Sequence, residues 1–191
     1  MRLLLSFGLV LSMSGTEIER AQQTARGREP ERQQFHRRYL VDLQDATVTR
    51  FEVITEFRRL VLITEEHILR GDWLFSRSVR SAEQALEAFR GVVAIRSSIR
   101  FNPLNTFIAS PPYALAIGGP AGEQLSAVDT QITPQYSTPF KARGKTVTSL
   151  IGATIESVVP TAELRQTTRV VAVTLDGKEL ARTVVDFSRL D

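Results

Sequence analysis

Residues 170–187 read VVAVTLDGKELARTVVDF, and their pattern decides the fold class. Val171, Val173 and Leu175 alternate up to Asp176-Gly177, a pair that tolerates the positive φ angles of a type I′ turn. Leu180 and Val184 return on the matching face, so the segment predicts an antiparallel hairpin with one buried side. Phe187 falls out of phase with them, which requires a bulge or a bend at the strand end.

Upstream, β-rich runs at 92–101, 106–117, 128–136 and 147–159 are punctuated by Asn102-Pro103, Gly118-Gly119-Pro120, Pro134 and Gly144. Short strands at such spacing predict a mainly β fold: an antiparallel β-sandwich or partly open barrel, with α+β as the fallback. Tyr39, Val41 and Leu43, then Val48, Phe51, Val53, Thr55 and Phe57, also follow a strand period. After Arg58-Arg59 an apolar run resumes at 60–63, so this region reads as one long bent strand or as two.

Helical signals are fewer. Thr64 followed by Glu65 and Glu66 predicts a short helix stopped by Gly71. Ser81-Ala82-Glu83-Gln84 matches a capping box, and Ala82, Ala85, Leu86 and Phe89 share one face before Gly91. That pattern predicts one short α-helix packed on the sheet.

Residues 1–13 carry Arg2 and then Leu3, Leu4, Leu5, Phe7, Leu9, Val10 and Leu11. The run is too short for a stable membrane span, which needs about 20 apolar residues. With Ser12 and Ser14 after it, it has the order of a signal peptide over 1–14, cleaved after Ser14. This predicts export, periplasmic or secreted; a cytoplasmic chain with the segment packed on the core is the alternative. Residues 15–38 are dominated by Glu, Gln and Arg, with Ile18 and Phe35 the main apolar residues. They read as a polar linker, disordered but for a fluctuating helix over 16–24. Residues 39–191 then form a single β-rich domain.

The whole chain has 191 residues, 42% of them hydrophobic, which is ample for one core. The 24 Lys+Arg exceed the 21 Asp+Glu by so little that the pI of 9.7 reflects arginine chemistry rather than a strong field. Lys141, Lys145 and Lys178 are the only lysines, and no basic run marks a nucleic-acid site. With no cysteine, disulfides, thiolate metal sites and catalytic thiols are excluded.

Linear motifs exclude more than they assign. Gly144-Lys145-Thr146 resembles the end of a phosphate loop, but Pro139 stands where its first glycine belongs and a strand follows. Gly118 to Gly122 lacks the strand-to-helix context of a dinucleotide fingerprint. His36 and His67 are the only histidines. Glu65, Glu66, His67 and Asp72 do not share one helix face as a metal set requires. No cofactor or metal is expected. A nucleophile elbow is absent, and Arg70-Gly71-Asp72 matches an adhesion tripeptide in letters alone.

Two surface regions are nominated for binding. Trp73, Phe75, Arg77 and Arg80 bring the single tryptophan next to arginines, residue types common at hot spots. Phe107 and Tyr113 lie in a proline-bounded stretch flanking an edge strand. The leading functional reading is an exported, noncatalytic β-domain binding a partner protein or cell-envelope component, through a sheet edge or the aromatic-arginine region. The alternative is a small hydrolase or isomerase whose carboxylates, His67 and arginines meet only in the fold.

Overall fold

The computed structural model describes residues 13–119, 124–125, 129–142, 144–164 and 168–190. The chain enters through α1 (Gly15–Ala25) and α2 (Glu29–Arg37), crosses β1 (Leu40–Asp42) and β2 (Val48–Ile54), and turns into α3 (Glu56–Leu69). α4 (Val79–Leu86) precedes β3 (Val92–Arg100), β4 (Tyr113–Gly118), β5 (Gln124–Leu125) and β6 (Asp129–Tyr136). A small hairpin of β7 (Phe140–Ala142) and β8 (Lys145–Val147) leads to β9 (Leu150–Pro160). The one-turn α5 (Thr161–Leu164), β10 (Thr168–Leu175) and β11 (Lys178–Asp186) complete the order.

One sheet is ordered β1-β2-β3-β9-β6 and a second β11-β10-β4-β5, all pairs antiparallel. Strand alternation turns Phe51, Val53, Ile95, Ile99, Ala153 and Ile155 of the first sheet inward, against Leu115, Ile117, Val171, Val173 and Val185 of the second. Ser97 and Ser157 also face this core, fully buried; Ser97 Oγ donates to the Arg50 carbonyl at 3.2 Å, and Ser157 pairs with the Thr130 hydroxyl at 3.0 Å. The expected antiparallel, sheet-dominated fold is therefore the one that forms.

The terminal hairpin turns at Asp176 (φ 51°) and Gly177 (φ 76°), the left-handed pair that its type I′ reading requires. Val173 faces Ala181 while Thr174 faces Glu179, leaving Leu180 as the additional residue of a bulge. That shift turns Val184 outward, 62% exposed, and brings Val185 and Phe187 into the core. Phe187 is thus in phase with Val185, and Val184 is the residue displaced.

The helical content exceeds the two short helices and the fluctuating one read from the sequence. Residues 15–38 are not a disordered linker: Ile18, Ala21, Ala25 and Phe35 are buried together with Phe57, Leu60, Val61, Phe75, Ala82 and Leu86 in a second core. Composition counts apolar residues, whereas burial depends on their sharing a face; Ile18, Ala21 and Ala25 recur at helical spacing. Ser14 caps α1 by accepting the Glu17 N–H, and the Glu17 carboxylate accepts the Ser14 N–H at 2.7 Å in return. Residues 1–12, where most of the expected signal peptide falls, lie outside the described residues.

Residues 55–63 are likewise helix rather than strand. Thr55 caps α3 by accepting the Arg58 N–H at 3.2 Å, and Phe57, Leu60, Val61 and Thr64 are buried at a helical period. Thr64 sits inside this helix and does not start one. α4 begins earlier than its expected capping box, with Ser78 accepting the Ser81 N–H. In 106–117, only Tyr113 onward is strand.

α3 joins the helical layer to the outer face of the first sheet. Arg58 pairs with Glu52 of β2, and Arg59 lies 3.9 Å from Glu156 of β9. Leu190, after β11, packs against both cores.

Candidate functional site

The first nominated set is divided by the fold. Phe75 is 8% exposed in the helical core and stacks on the His67 ring at 3.8 Å. Trp73 is 55% exposed beside Leu74 and Leu69, and Arg77 and Arg80 are exposed without ion pairs among the described residues. No arginine lies over the indole among the described residues. His67 Nδ1 lies 2.9 Å from Asp72, and this hydrogen bond, then one from the Phe75 N–H, holds the Asp72 carboxyl below its ordinary pKa. The other histidine, His36, is 3.0 Å from Glu65, so it ties α2 to α3. Among the described residues no three His, Asp or Glu side chains gather to hold a metal ion.

The second set converges. Phe101, at the end of β3, contacts Phe107 edge-on at 5.1 Å and Tyr113 face-on at 6.0 Å. Tyr113 is buried, and that burial raises its hydroxyl pKa. Phe107 is 45% exposed at the rim of a cleft of about 620 Å³ at the end of the sandwich away from the helices. Arg100, Asn105, Thr106, Gln135 and Thr148 line it along with Phe101.

Local sequence shapes this cleft. Asn102 Oδ1 accepts the Leu104 N–H at 2.8 Å, and Asn105 Oδ1 accepts the Phe107 N–H at 3.0 Å. The Asn105 amide also donates to the Leu150 carbonyl at 3.1 Å, which pins the loop to β9. With its backbone satisfied in this way, the loop holds Leu104 (88% exposed) and Ile108 (96% exposed) in solvent. Two of the lining residues, Arg100 and Gln135, flank Gly152, which pairs with both. A Cβ on Gly152 would stand 2.3 Å from the Ile99 carbonyl oxygen, so the strands approach closely only with glycine there.

Charge distinguishes Arg100 from the other arginines of this sheet face. Arg50 pairs with Asp42 at 2.6 Å, Arg58 with Glu52, Arg59 with Glu156, and Arg96 with Glu156 at 2.7 Å. Among the described residues, the Arg100 side chain has no ion pair or hydrogen bond and no carboxylate or imidazole lines the cleft. Such a surface offers a cation, hydroxyl and amide groups and an aromatic edge, which suit binding better than proton transfer.

Sequence reasoning nominated Phe107 and Tyr113 but missed Arg100, Leu104, Ile108 and Gln135. One signal was present: Leu104 and Ile108 are large apolar residues in a stretch that Pro103, Pro111 and Pro112 keep from being a regular strand. No helix among the described residues is long and apolar enough to cross a membrane. No family model, curated protein or solved structure matches the chain.

Proposed function

We propose that this chain is an exported, noncatalytic β-domain that binds a cell-envelope component with the loop end of its sandwich. The observation that carries this reading is the cleft beside Arg100, whose one charged lining residue among the described residues is a cation without an ion pair among them, and whose rim presents Phe107. Export is supported by the order of residues 1–14: Arg2, an apolar run, then Ser12 and Ser14.

A strand-addition mode at β6 is disfavoured by the pairing. Because the Phe101 N–H bonds to the Ile151 carbonyl, the even-numbered backbone groups of β9 face β6. Gly152, Thr154 and Glu156 then bond with Gln135, Thr133 and Gln131, which turns the backbones of Thr130, Ile132 and Pro134 to the free edge. Pro134 offers no N–H there and blunts that edge.

The test combines fractionation with binding. The chain should be processed and outside the cytoplasm, and the purified protein should bind an envelope fraction in a way that Phe107→Ser and Arg100→Ala each weaken by about tenfold. An unprocessed cytosolic protein, or binding indifferent to both substitutions, would overturn the reading.

A further inference from the structure

We infer that the loop end of the sandwich is a docking surface for anionic phospholipid bilayers, with the 102–110 loop entering the interface and Arg100 facing a headgroup phosphate. This rests on the proposal that the loop end is the binding end. Three observations carry it.

The first is the form of the apolar exposure. Leu104 and Ile108 are 88% and 96% exposed, so they protrude singly from a loop that Asn102 and Asn105 hold in shape. Protruding tips fit a fluid medium, which closes around them without a matching surface; a protein interface favours flatter patches with complementary pockets. Phe140 and Tyr136, 45% and 55% exposed on the β7–β8 hairpin and the strand leading to it, add aromatic rings of the kind found at the headgroup level.

The second is the placement of lysine. In a chain whose cations are overwhelmingly arginine, Lys141 and Lys145 lie on the hairpin that leaves the cleft wall between Gln135 and Thr148. Lys178 follows the Asp176-Gly177 turn, one pairing step from Leu175, which faces Tyr113. All three lysines of the chain are therefore at this end. Lysine is depleted in protein interfaces but draws a surface toward anionic lipid, where each cation contributes appreciably.

The third is the balance of charge at this end. The Asp45 carboxylate accepts the Thr47 and Val48 N–H groups at 2.7 Å each, which lowers its pKa, and Asp42 pairs with Arg50. Glu179 lies 3.7 Å from Arg182. Asp176, in the hairpin turn, is the remaining described acid among these loops. Arg100, Lys141, Lys145 and Lys178 outnumber Asp45 and Asp176, the two described carboxylates there without a basic partner among the described residues, so this end presents a net positive charge to a negative surface.

The purified full chain is sedimented with vesicles of phosphatidylcholine alone and of equimolar phosphatidylcholine and phosphatidylglycerol, at low and high salt. Binding should require phosphatidylglycerol and weaken with salt. The double variants L104D/I108D and K141E/K145E should each lower partitioning by at least about tenfold while leaving thermal unfolding unchanged. No binding to the anionic vesicles, or binding unaffected by both variants, overturns the inference. If vesicle binding fails while envelope capture still depends on Phe107 and Arg100, a protein or polysaccharide is the ligand and the broader proposal stands. If both fail, both fall.

Discussion

Gln22 on α1 donates its side-chain amide to the Phe75 carbonyl at 2.9 Å and to the Ser78 carbonyl at 3.1 Å, while only 2% of the residue is exposed. This one side chain fastens the polar N-terminal segment to the turn carrying Trp73. Gln22→Leu would remove both bonds while the Ser78 and Ala82 N–H groups still reach these carbonyls, at a cost of about 0.5–1.5 kcal/mol per bond. Urea unfolding measures it; an unchanged midpoint would mean that water replaces the amide.

Glu52 stands between Arg58, whose side chain is 3% exposed, and Arg96 at 3.4 Å. Burial lowers the Arg58 pKa, and the Glu52 carboxylate opposes that shift. Glu52→Gln therefore leaves a buried guanidinium without its counter-charge and should destabilise by roughly 3–5 kcal/mol. Adding Arg58→Met should recover part of the loss, since the uncompensated charge goes with it. A double-mutant cycle in denaturant reads the coupling directly.

Glu56 gives a stability term with a distinct pH sign. Burial raises its pKa, although the Met13 and Gly91 N–H groups pull the other way. A carboxyl whose folded pKa lies above its unfolded value stabilises fully below the unfolded pKa, and that contribution is lost as pH rises through the folded one. Glu56→Gln keeps an acceptor for both N–H groups and removes the titration. The stability of this variant relative to the parent should increase from about pH 4 to about pH 7, as thermal unfolding at several pH values would reveal. A constant difference would show that Glu56 does not titrate in that window.

Gly152→Ala places a methyl 2.3 Å from the Ile99 carbonyl oxygen, a backbone atom that moves only if β3 and β9 separate. The expected cost is about 1–3 kcal/mol or more from overpacking. Arg100 and Gln135 both pair with Gly152, so the same separation shifts two cleft residues and ligand binding should fall with it. Calorimetry and the vesicle assay together separate the two effects.

Ser14 provides the cap of α1, and Met13 packs against the helical core, its N–H pulling the Glu56 pKa down against burial. A signal-peptide cut after Ser14 would discard both contacts, and Ser14→Ala alone should cost about 1 kcal/mol. A chain beginning at Gly15 should therefore unfold at a lower temperature than one beginning at Met13, as thermal unfolding of the two would show. Equal midpoints would show that α1 holds without its cap.

By itself the sequence determined the terminal turn and most of the strands, though not the helix from Glu56 or the irregular stretch before Tyr113. Val171, Val173 and Leu175 alternate because a strand places successive side chains on opposite faces, and Asp176-Gly177 supplies left-handed backbone; both signals are local. Tertiary structure decided the rest. In α1, Ile18, Ala21 and Ala25 make a stripe too narrow to read as core until α3 and α4 cover it, and Arg58 reads as a surface cation until Glu52 meets it. The cleft was least legible: Arg100 and Gln135, far apart in sequence, flank Gly152 only through β-strand register. Register is set by long-range pairing, which no local spacing encodes.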